Sequence, residues 1–484
     1  MNLLFACSEL FPLIKTGGLA DVSQSLPLAL HQAGVDVTLI LPAYRSVLAQ
    51  LPPPLALYEV DDPFLPARTR LLEQRFPGTD IRLLLVQPGD LFDRDGGPYS
   101  DEQGLDWPDN GGRFAAFSRA VVALLAGRCQ PLLPVFDVVH CNDWQTGLVP
   151  ALVALERLPV RTLFTIHNLA YQGIFPRTEF DALALPAHWW HYDALEFYGN
   201  CSFLKAGIVF ADVVTTVSPT YAKEILQEPL ACGMSGLLQY HRHKLHGILN
   251  GADYALWNPA SDSHLRFRYD ADNLPEKLHN KLDLQRQLGL RLGQSIPLLG
   301  VVSRLVHQKG ADWIIEAMRQ LNDDRLQWVV LGTGDRAIER ELQTLALAAP
   351  KRISVNIGYD ETLAHRIEAA ADVFVMPSRY EPCGLNQIYS LRYGTLPLVR
   401  ATGGLADTVV DISDESLRQG HATGFVYQGD TTADLVQCIR RATGFFTRRK
   451  TWEKLQRAAM AQHFDWRQSA QAYLALYQQR DALV

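Results

Sequence analysis

IPLLGVVSRLVHQKG, residues 296–310, joins a continuous apolar run to a basic turn and then to the start of a helical pattern. Apolar runs of this kind are typical of parallel strands buried on both faces of a sheet. The same succession of apolar run, turn and amphipathic stretch begins near the N-terminus with LLFAC, residues 3–7. Residues 296–310 therefore start a second series of strands and helices, which indicates a second domain.

Each series continues with further apolar runs. The first contains residues 36–42, 81–88, 135–142, 161–168, 212–218 and 244–251, and the second contains residues 326–332, 353–358, 372–378 and 396–401. Two such series predict an α/β protein with two Rossmann-like doubly wound domains that face each other across a cleft. The length of 484 residues agrees, because a single core stops growing at roughly 250–300 residues.

The domain boundary is predicted from where the second series starts. We place the N-terminal domain over residues 1–250 and the C-terminal domain over residues 251–463, with a hinge near residues 251–262. Residues 262–295 are polar, and we expect an irregular join there. The helical stretch 466–480 fits against either domain.

Charge and cysteine usage narrow the class of protein. The net charge is −7 and the pI about 6.1, with no long run of one sign, which argues against nucleic acid or an anionic membrane as a partner. The seven cysteines are scattered without a C-x-x-C pair, so we expect no disulfide framework or structural zinc. No window approaches the ~18 apolar residues of a membrane span. We therefore expect a cytoplasmic protein.

A hexamer, TGGLAD, occurs twice, at Thr16–Asp21 and at Thr402–Asp407. Both copies follow a predicted strand, and turns at that position lead into helix N-termini that bind anions. Gly-Gly can also serve only to make a tight turn. The repetition of the whole hexamer favours two turns, one in each domain, that grip one ligand from both sides.

Basic side chains lie beside these predicted turns. Arg304 ends a strand, Lys309 opens a helix, and Lys15 precedes the first Gly-Gly pair. A lysine at a helix N-terminus opposes the macrodipole unless an anion lies between them, although a solvated lysine costs little. Three cations at such turns predict a bound diphosphate.

A carboxylate stands close to the same predicted site. Glu381 precedes a helix that we expect to begin at about Gly384, whose N–H group and that of Leu385 would then face phosphate. Glu381 can complement the helix dipole or hold sugar hydroxyls. Cys383 has no base in its surroundings and is interpreted as a packed thiol.

Polar residues also end two strands of the first series. Asp143 follows VVHCN, and His167 follows LFTI. They can be an N-cap and a core histidine, or they can contact a sugar at the cleft. Trp144 and Tyr99 can stack on sugar faces, although core packing is the commoner role of either ring.

The sequence gives less support to other kinds of binding or catalytic site. LGTGDRA, residues 331–337, fits a weak dinucleotide fingerprint, but the acid expected about 20 residues later is missing. We find no metal-ligand cluster, P-loop or Ser/His/Asp set, and we expect neither a metal nor a cofactor.

The motifs taken together resemble the bacterial glycogen synthase family, ADP-glucose-dependent α-1,4-glucan glycosyltransferases related to plant starch synthases. The resemblance covers residues 3 to about 475 and is carried, in chain order, by KTGGLADV, HCNDWQTGL, FTIHNLAYQG, VSPTYAKEI, ILNGAD, VSRLVHQKG, YEPCGLNQIY and ATGGLADTV. It implies a GT-B fold and metal-independent, retaining transfer of glucose from ADP-glucose to the non-reducing end of glycogen or another α-1,4-glucan, with release of ADP. It also implies that a final helix over residues 464–484 packs back on the N-terminal domain.

The resemblance further implies roles for single residues. The residues expected to act in catalysis are Glu381, Arg304, Lys309, Asp143 and His167. Those expected to bind ADP-glucose are Lys15, Gly17, Gly18, Asn250, Arg304, Lys309, Tyr359, Glu381, Cys383, Gly384, Leu385, Thr402, Gly403 and Gly404, with Tyr359 beside the adenine. Those expected at the acceptor or hinge region are Glu9, Asp21, Tyr99 and Trp144.

Three positions depart from the family's usual residues. Asn142 and Gln145 flank the Asp-Trp pair where His is usual at both positions, and Asn386 stands where Thr is frequent. Because the Asp-Trp pair and the basic pair are kept, we expect these departures to alter acceptor preference or glucan affinity and not to abolish activity. A retaining transferase with another nucleotide donor or a short maltoside acceptor, or a weakly active glucan-binding paralogue, stays an alternative. The sequence does not indicate an oligomeric state.

Overall fold

The computed structural model describes residues 1–322 and 325–479, which form two compact units. The N-terminal unit comprises residues 1–251 together with the C-terminal helix from Trp466 onward, and the other unit comprises Ala252–Asp465. The division lies one residue after the expected end of the first domain. Within the predicted segment 464–484, residues 480–484 lie outside the described part of the chain.

The N-terminal unit alternates strands with helices. Its strands are β1 (Asn2–Ala6), β2 (Asp36–Pro42), β3 (Ala56–Val60), β4 (Arg70–Arg75), β5 (Arg82–Gln87), β6 (Cys129–Gln130), β7 (Val138–Asn142), β8 (Arg161–Ile166), β9 (Ile174–Pro176), β10 (Glu196–Phe197), β11 (Asn200–Ser202), β12 (Val213–Thr216) and β13 (Leu245–Gly247). Its helices are α1 (Gly18–Gln32), α2 (Arg45–Leu48), α3 (Asn110–Leu125), α4 (Leu148–Glu156), α5 (Arg177–Ala182), α6 (Phe203–Phe210), α7 (Pro219–Glu224) and α8 (Ser235–Tyr240), joined by the C-terminal helix Trp466–Gln478.

The large sheet of this unit has the order β13-β12-β8-β7-β1-β2-β5-β4-β3-β6. Its strands from β13 to β5 are parallel and match the apolar runs of the first series. Strands β4, β3 and β6 extend it antiparallel, and the sequence did not predict them. In β4, Glu73 is buried and accepts a hydrogen bond of 2.5 Å from Tyr58 Oη. A search for apolar runs misses β4 because some of its buried positions are polar.

The second unit has a simpler sheet. Its strands are β14 (Leu298–Val302), β15 (Gln327–Gly332), β16 (Ile353–Ile357), β17 (Val373–Met376), β18 (Leu396–Arg400) and β19 (Phe425–Tyr427). Its helices are α9 (Lys277–Gln287), α10 (Ala311–Gln320), α11 (Arg336–Ala348), α12 (Glu361–Ala370), α13 (Asn386–Arg392), α14 (Gly403–Thr408), α15 (Asp414–Gln419), α16 (Thr432–Phe446) and α17 (Arg449–Met460); the C-terminal helix is α18 (Trp466–Gln478). All strands are parallel in the order β16-β15-β14-β17-β18-β19, the Rossmann order.

The expectation of an irregular join over residues 262–295 was wrong, because this segment contains α9. Two lysines of α9 are buried against polar partners. Lys281 Nζ lies 2.6 Å from Asp372 Oδ2, and Lys277 Nζ donates to Thr395 Oγ1 over 2.6 Å. Because α9 buries lysines, it has no apolar stripe, and its polar sequence is therefore mistaken for an exposed loop. Among the described residues, no helix is long and apolar enough to cross a bilayer.

Candidate active site

The clearest polar site of the second unit lies where the strand order reverses, between β14 and β17. The turn after β14 carries Lys309, and the turn after β17 carries Glu381. Lys309 Nζ lies 2.6 Å from Glu381 Oε2, and Ser378 Oγ donates to the same oxygen over 2.9 Å. Doubly wound sheets bind ligands beyond the carboxyl ends of their strands at such a reversal.

The pair is sheltered from solvent. The side chains of Lys309 and Glu381 are 19% and 6% exposed. Arg304, by contrast, is exposed, and its guanidinium lies 3.4 Å from Gln308 Oε1. Asn386 Nδ2 donates to the carbonyl oxygen of Val302 over 2.7 Å, so this unusual residue ties α13 to the end of β14.

The helices at these turns begin two residues later than expected. Residues 307–309 form a 3-10 turn, and α10 begins at Ala311 after Gly310, whose φ is 70°. Gly384 has φ 73°, and α13 begins at Asn386. A left-handed conformation does not continue a right-handed helix, and in both of these turns the helix begins only after the glycine. Lys309 therefore precedes α10.

The second TGGLAD copy supports the Glu381 turn through backbone contact. Gly403 has φ 45°, and a side chain there would overlap the carbonyl oxygen of Glu381; one at Gly404 would overlap that of Cys383. Gly404 N donates to the carbonyl oxygen of Glu381 over 3.2 Å. Thr402 and Cys383 are also buried. Glycine is required here because two backbone segments touch.

Two further residues of this unit were predicted to bind the donor. Leu385 lies between Gly384 and the start of α13, partly buried. Tyr359 follows β16, is 73% exposed, and donates a hydrogen bond from its hydroxyl to Glu361. The role of Tyr359 beside adenine stays a prediction.

In the N-terminal unit, the first TGGLAD copy follows β1, at the reversal point between β1 and β7. Glu9 Oε2 accepts hydrogen bonds from the backbone N–H groups of Thr16 (2.6 Å) and Gly17 (3.0 Å). Glu9 Oε1 accepts a bond of 2.8 Å from Tyr99 Oη. Glu9 is 4% exposed, so its observed contacts hold the glycine turn. Its predicted place at the acceptor stays untested.

The two hexamers are therefore not equivalent in the fold. The first follows the first strand of its sheet, whereas the second follows β18, the fifth strand of the other sheet. A Cβ built on Gly17 or Gly18 meets no described atom within 4 Å, and Gly17 has an extended φ of −156°. Among the described residues of the N-terminal unit, no packing contact demands these two glycines. Lys15 Nζ beside them pairs with Asp21 Oδ1 at 2.8 Å.

Asp143 and His167 come together at the ends of β7 and β8. Asp143 Oδ1 accepts the backbone N–H of His167 over 2.8 Å, and no cap bond forms from Asp143 to the turn after it. Asp143 thus stands at the N-cap position of the turn that begins at Trp144, but its side chain bonds to the next strand instead of capping the turn. Burial raises the pKa of the Asp143 carboxyl to about 7, against the lowering effect of its bonds to the backbone of His167 and Asn168.

Burial fixes the protonation of His167. It lowers the pKa of the imidazole to about 3, so the ring is neutral near pH 7. Asn142 Nδ2 donates to the carbonyl oxygen of Ala6 over 3.0 Å, which turns Asn142 Oδ1 towards His167 Nε2, 2.9 Å away. The Nε2 atom must then carry the proton, and Nδ1 is left as a hydrogen-bond acceptor. The sequence did not single out Asn142 for this role.

Trp144 and Tyr99 belong to an aromatic cluster. The ring of Trp144 lies 5.0 Å from Phe114 and 6.4 Å from Tyr99, with both rings partly buried against the core. Gln145 is 5% exposed, and its Oε1 atom has no hydrogen-bond partner in the part of the chain that the structure describes. The same holds for Oδ1 of Asn250, which is 6% exposed at the end of this unit.

One group of possible metal ligands was missed in the sequence. Asp262, His264 and His365 offer ligand atoms within 4.8 Å of one another. Asp262 Oδ2 already accepts hydrogen bonds from His365 Nδ1 (2.8 Å) and Tyr393 Oη (2.5 Å). The bonds and ion pairs to Asp262 and Glu361 raise the pKa of His365 to about 9 against the opposing effect of burial, so a protonated histidine already neutralises the buried carboxylate.

Comparison with known proteins identifies the family. Residues 2–240 match the starch synthase catalytic domain, and residues 289–454 match the glycosyl transferases of group 1. The chain is 49% identical over 481 residues to glycogen synthase 2 of Nitrosococcus oceani, covering 99% of this chain and 97% of that one. This chain belongs to the glycogen synthase family. It is also 48% identical to the glycogen synthase of Thioalkalivibrio sulfidiphilus, with 99% of each chain covered.

A solved structure supports the same assignment. The catalytic domain of starch synthase IV from Arabidopsis thaliana, bound to ADP and acarbose, matches this family member with a TM-score of 0.86 and 32% identity over 98% of both chains. The predictions of the glycogen synthase family, of a glycosyltransferase and of two Rossmann-like domains of the GT-B class are confirmed.

Proposed function

We propose that this chain transfers glucose from ADP-glucose to the non-reducing end of glycogen or another α-1,4-glucan and releases ADP. The observation that carries the proposal is the sheltered pair of Lys309 and Glu381, 2.6 Å apart at the strand-order reversal. A cation and a carboxylate at that position suit a sugar diphosphate, and the chain is 49% identical to a glycogen synthase.

The reaction breaks the bond between C1 of glucose and the diphosphate oxygen, and forms a bond between C1 and the acceptor O4, whose proton leaves. Positive charge develops on the sugar and negative charge on the departing ADP. Lys309 donates one of its three N–H bonds to Glu381, so the others can reach the diphosphate. Arg304 adds a second cation, and preorganised cations of this kind stabilise a leaving group.

Glu381 and His167 are assigned to the transferred glucose. Among the described residues, Lys309 and Ser378 both donate to Oε2 of the Glu381 carboxylate, so we assign Oε1 to a sugar hydroxyl. The neutral His167 ring offers Nδ1 as an acceptor for another hydroxyl. Neither group requires a metal, and a metal-independent, retaining reaction in the cytosol stays part of the proposal.

The testing experiment measures ADP release from ADP-glucose with and without glycogen, and UDP-glucose is run in parallel. We expect release that depends on glycogen and strongly favours ADP-glucose. A preference for UDP-glucose would reassign the nucleotide but keep the reaction. No release from folded protein that still binds glycogen would favour the binding-paralogue alternative and overturn the proposal.

A further inference from the structure

Asp143 has a strained backbone conformation. Its φ and ψ angles are 56° and −177°, close to the region that essentially only glycine occupies. Such strain persists only where the surrounding structure holds the residue in place, and strained residues cluster at active sites. The contacts that hold Asp143 should therefore matter to the reaction.

The end of β8 holds Asp143 at two points. The backbone N–H of Asp143 donates to the carbonyl oxygen of Thr165 over 2.9 Å. The backbone N–H of His167 donates to Asp143 Oδ1 over 2.8 Å. The position of the Asp143 carboxyl group thus depends on where the backbone of residues 165–167 lies.

The side chain of Thr165 belongs to a row of hydrogen bonds inside the N-terminal unit. Thr165 Oγ1 lies 2.6 Å from Thr215 Oγ1 and 2.6 Å from His140 Nε2. His140 Nδ1 lies 2.7 Å from Tyr477 Oη in the C-terminal helix α18. We call these four residues, Tyr477, His140, Thr165 and Thr215, the polar row.

Helix α18 brings Tyr477 to the polar row by packing one face on the N-terminal unit. Its buried residues recur every three or four positions and include Trp466, Ala470, Tyr473 and Tyr477. The ring centroid of Tyr473 lies 5.2 Å from that of His140. The hydroxyl that contacts His140 thus comes from a residue 337 positions away in the chain.

The polar row is shielded from water. Its four side chains are buried, and the most exposed of them, Tyr477, is 4% exposed. Burial lowers the pKa of the His140 imidazole well below its usual value, so the ring is neutral. A neutral imidazole donates from one nitrogen and accepts at the other, and a buried nitrogen without a partner is costly. The Tyr477 hydroxyl therefore helps to fix the ring of His140, and with it the side chain of Thr165.

Core packing alone does not explain the polar row. His140 lies between Val139 and Cys141 in β7, and all three are buried. Strands buried on both faces are normally apolar, because a buried polar group costs stability unless it is hydrogen-bonded. A buried network whose members are paired rigidifies the structure around it and specifies one arrangement. That property suits a strand end that must hold a strained residue.

We propose that Tyr477 is a positioning residue for glucose transfer and that it acts on Asp143 through the polar row. The inference rests on the proposed function and adds to it a residue of the last helix. Because Tyr477 is buried, it acts through its neighbours and not by contact with a substrate.

The test measures kcat and the KM for ADP-glucose in the full chain, from ADP release with glycogen. Tyr477→Phe removes only a hydroxyl, and we expect kcat to fall about tenfold, because a small displacement of a positioned group slows the reaction strongly. The KM for ADP-glucose should change less than about twofold. Thr165→Val should act in the same direction, whereas Thr165→Ser keeps the hydroxyl and should retain kcat.

A double variant shows whether Tyr477 acts through Asp143. In an Asp143→Asn background, Tyr477→Phe should lower kcat further by less than about twofold, because the group that it positions is already altered. The matched control, Tyr58→Phe, removes a buried hydroxyl that donates to Glu73 in the same unit, and it should leave kcat unchanged. An unchanged kcat in Tyr477→Phe, or a full tenfold loss in the Asp143→Asn background, would overturn the inference.

Hydrogen exchange of the free protein separates the inference from the proposed function. In Tyr477→Phe, the amides of Asp143 and His167 should exchange at least about fivefold faster than in the parent, and Tyr58→Phe should not change them. Unchanged exchange in Tyr477→Phe would overturn the inference whatever the activity. A parent that releases no ADP, but in which Tyr477→Phe speeds this exchange, would refute the transferase and keep Tyr477 as the residue that holds Asp143.

Discussion

The backbone of Gly403 packs directly on the carbonyl oxygen of Glu381, in the turn that presents the Glu381 carboxylate to Lys309. The identical hexamer near the N-terminus makes no such contact with the described residues, since a Cβ on Gly17 meets none of their atoms within 4 Å. One Gly-Gly pair is thus required by the fold of its unit, and the other faces open space. We therefore expect a substitution in each pair to have a different effect, one mainly on stability and the other mainly on activity.

Gly403→Ala should destabilise the protein by about 2–4 kcal/mol, because it adds left-handed strain and a clash with backbone. Gly17→Ala should leave the midpoint of denaturation nearly unchanged, since its φ of −156° suits any residue. If the turn at Gly17 and Gly18 receives ADP-glucose, Gly17→Ala should still lower kcat/KM for ADP-glucose at least about tenfold. Full activity in a stable Gly17→Ala variant would remove this turn from the donor site.

Lys309→Ala should lower kcat by roughly a hundredfold, because a cation that stabilises the leaving diphosphate contributes about 3 kcal/mol to the transition state. Steady-state ADP release measures the effect, and glycogen affinity should stay unchanged. Lys351→Ala, at an exposed lysine of the same unit, is the matched control. Equal losses of turnover and of glycogen affinity in Lys309→Ala would contradict its assigned role.

Asp143→Asn should change how stability depends on pH. Because the folded pKa of Asp143, about 7, lies above the unfolded value of 3.8, the folded state holds an extra proton between those values. The parent therefore loses stability from this group as pH rises from about 4 to 7, and Asp143→Asn avoids that loss. Denaturation at several pH values should show that the free energy of unfolding of the variant rises relative to that of the parent up to about pH 7.

His167 has the opposite effect on the pH dependence of stability, so it must be kept in both the parent and the Asp143→Asn variant. Its folded pKa of about 3 lies below its unfolded value of 6.5, so it adds stability as pH rises through that window. The difference between parent and Asp143→Asn cancels this shared contribution. A difference that is flat between pH 4 and 7 would show that Asp143 is ionised throughout.

Lys281→Met should destabilise the second unit by about 3–5 kcal/mol, because it leaves the carboxylate of Asp372 buried without its partner. The two side chains are 3% and 11% exposed. Denaturant titration gives the loss, and Lys351→Met is the exposed control. The double variant Lys281→Met with Asp372→Asn should lose less than the sum of the single variants. Additive losses would mean that the pair is not coupled.

Much of the site could be predicted along the chain. Lys309 and Glu381 in the second unit, and Asp143 and His167 in the N-terminal unit, each follow an apolar strand, and the parallel strands of each sheet bring their carboxyl ends to one edge of that sheet. The partners of these residues could not be predicted. Ser378 on Glu381 and Asn142 on His167 are common residue types whose importance depends on a distance across neighbouring strands.

The sequence by itself determined the two series of parallel strands, the order of the motifs and the family, because strand burial and turn chemistry are local properties of the chain. Only the tertiary structure decided which TGGLAD copy is needed for packing, since an identical hexamer meets backbone at Gly403 and open space at Gly17. It also decided that α9 is a helix with buried lysines, because a buried charge depends on a partner distant in sequence, as Asp372 is for Lys281.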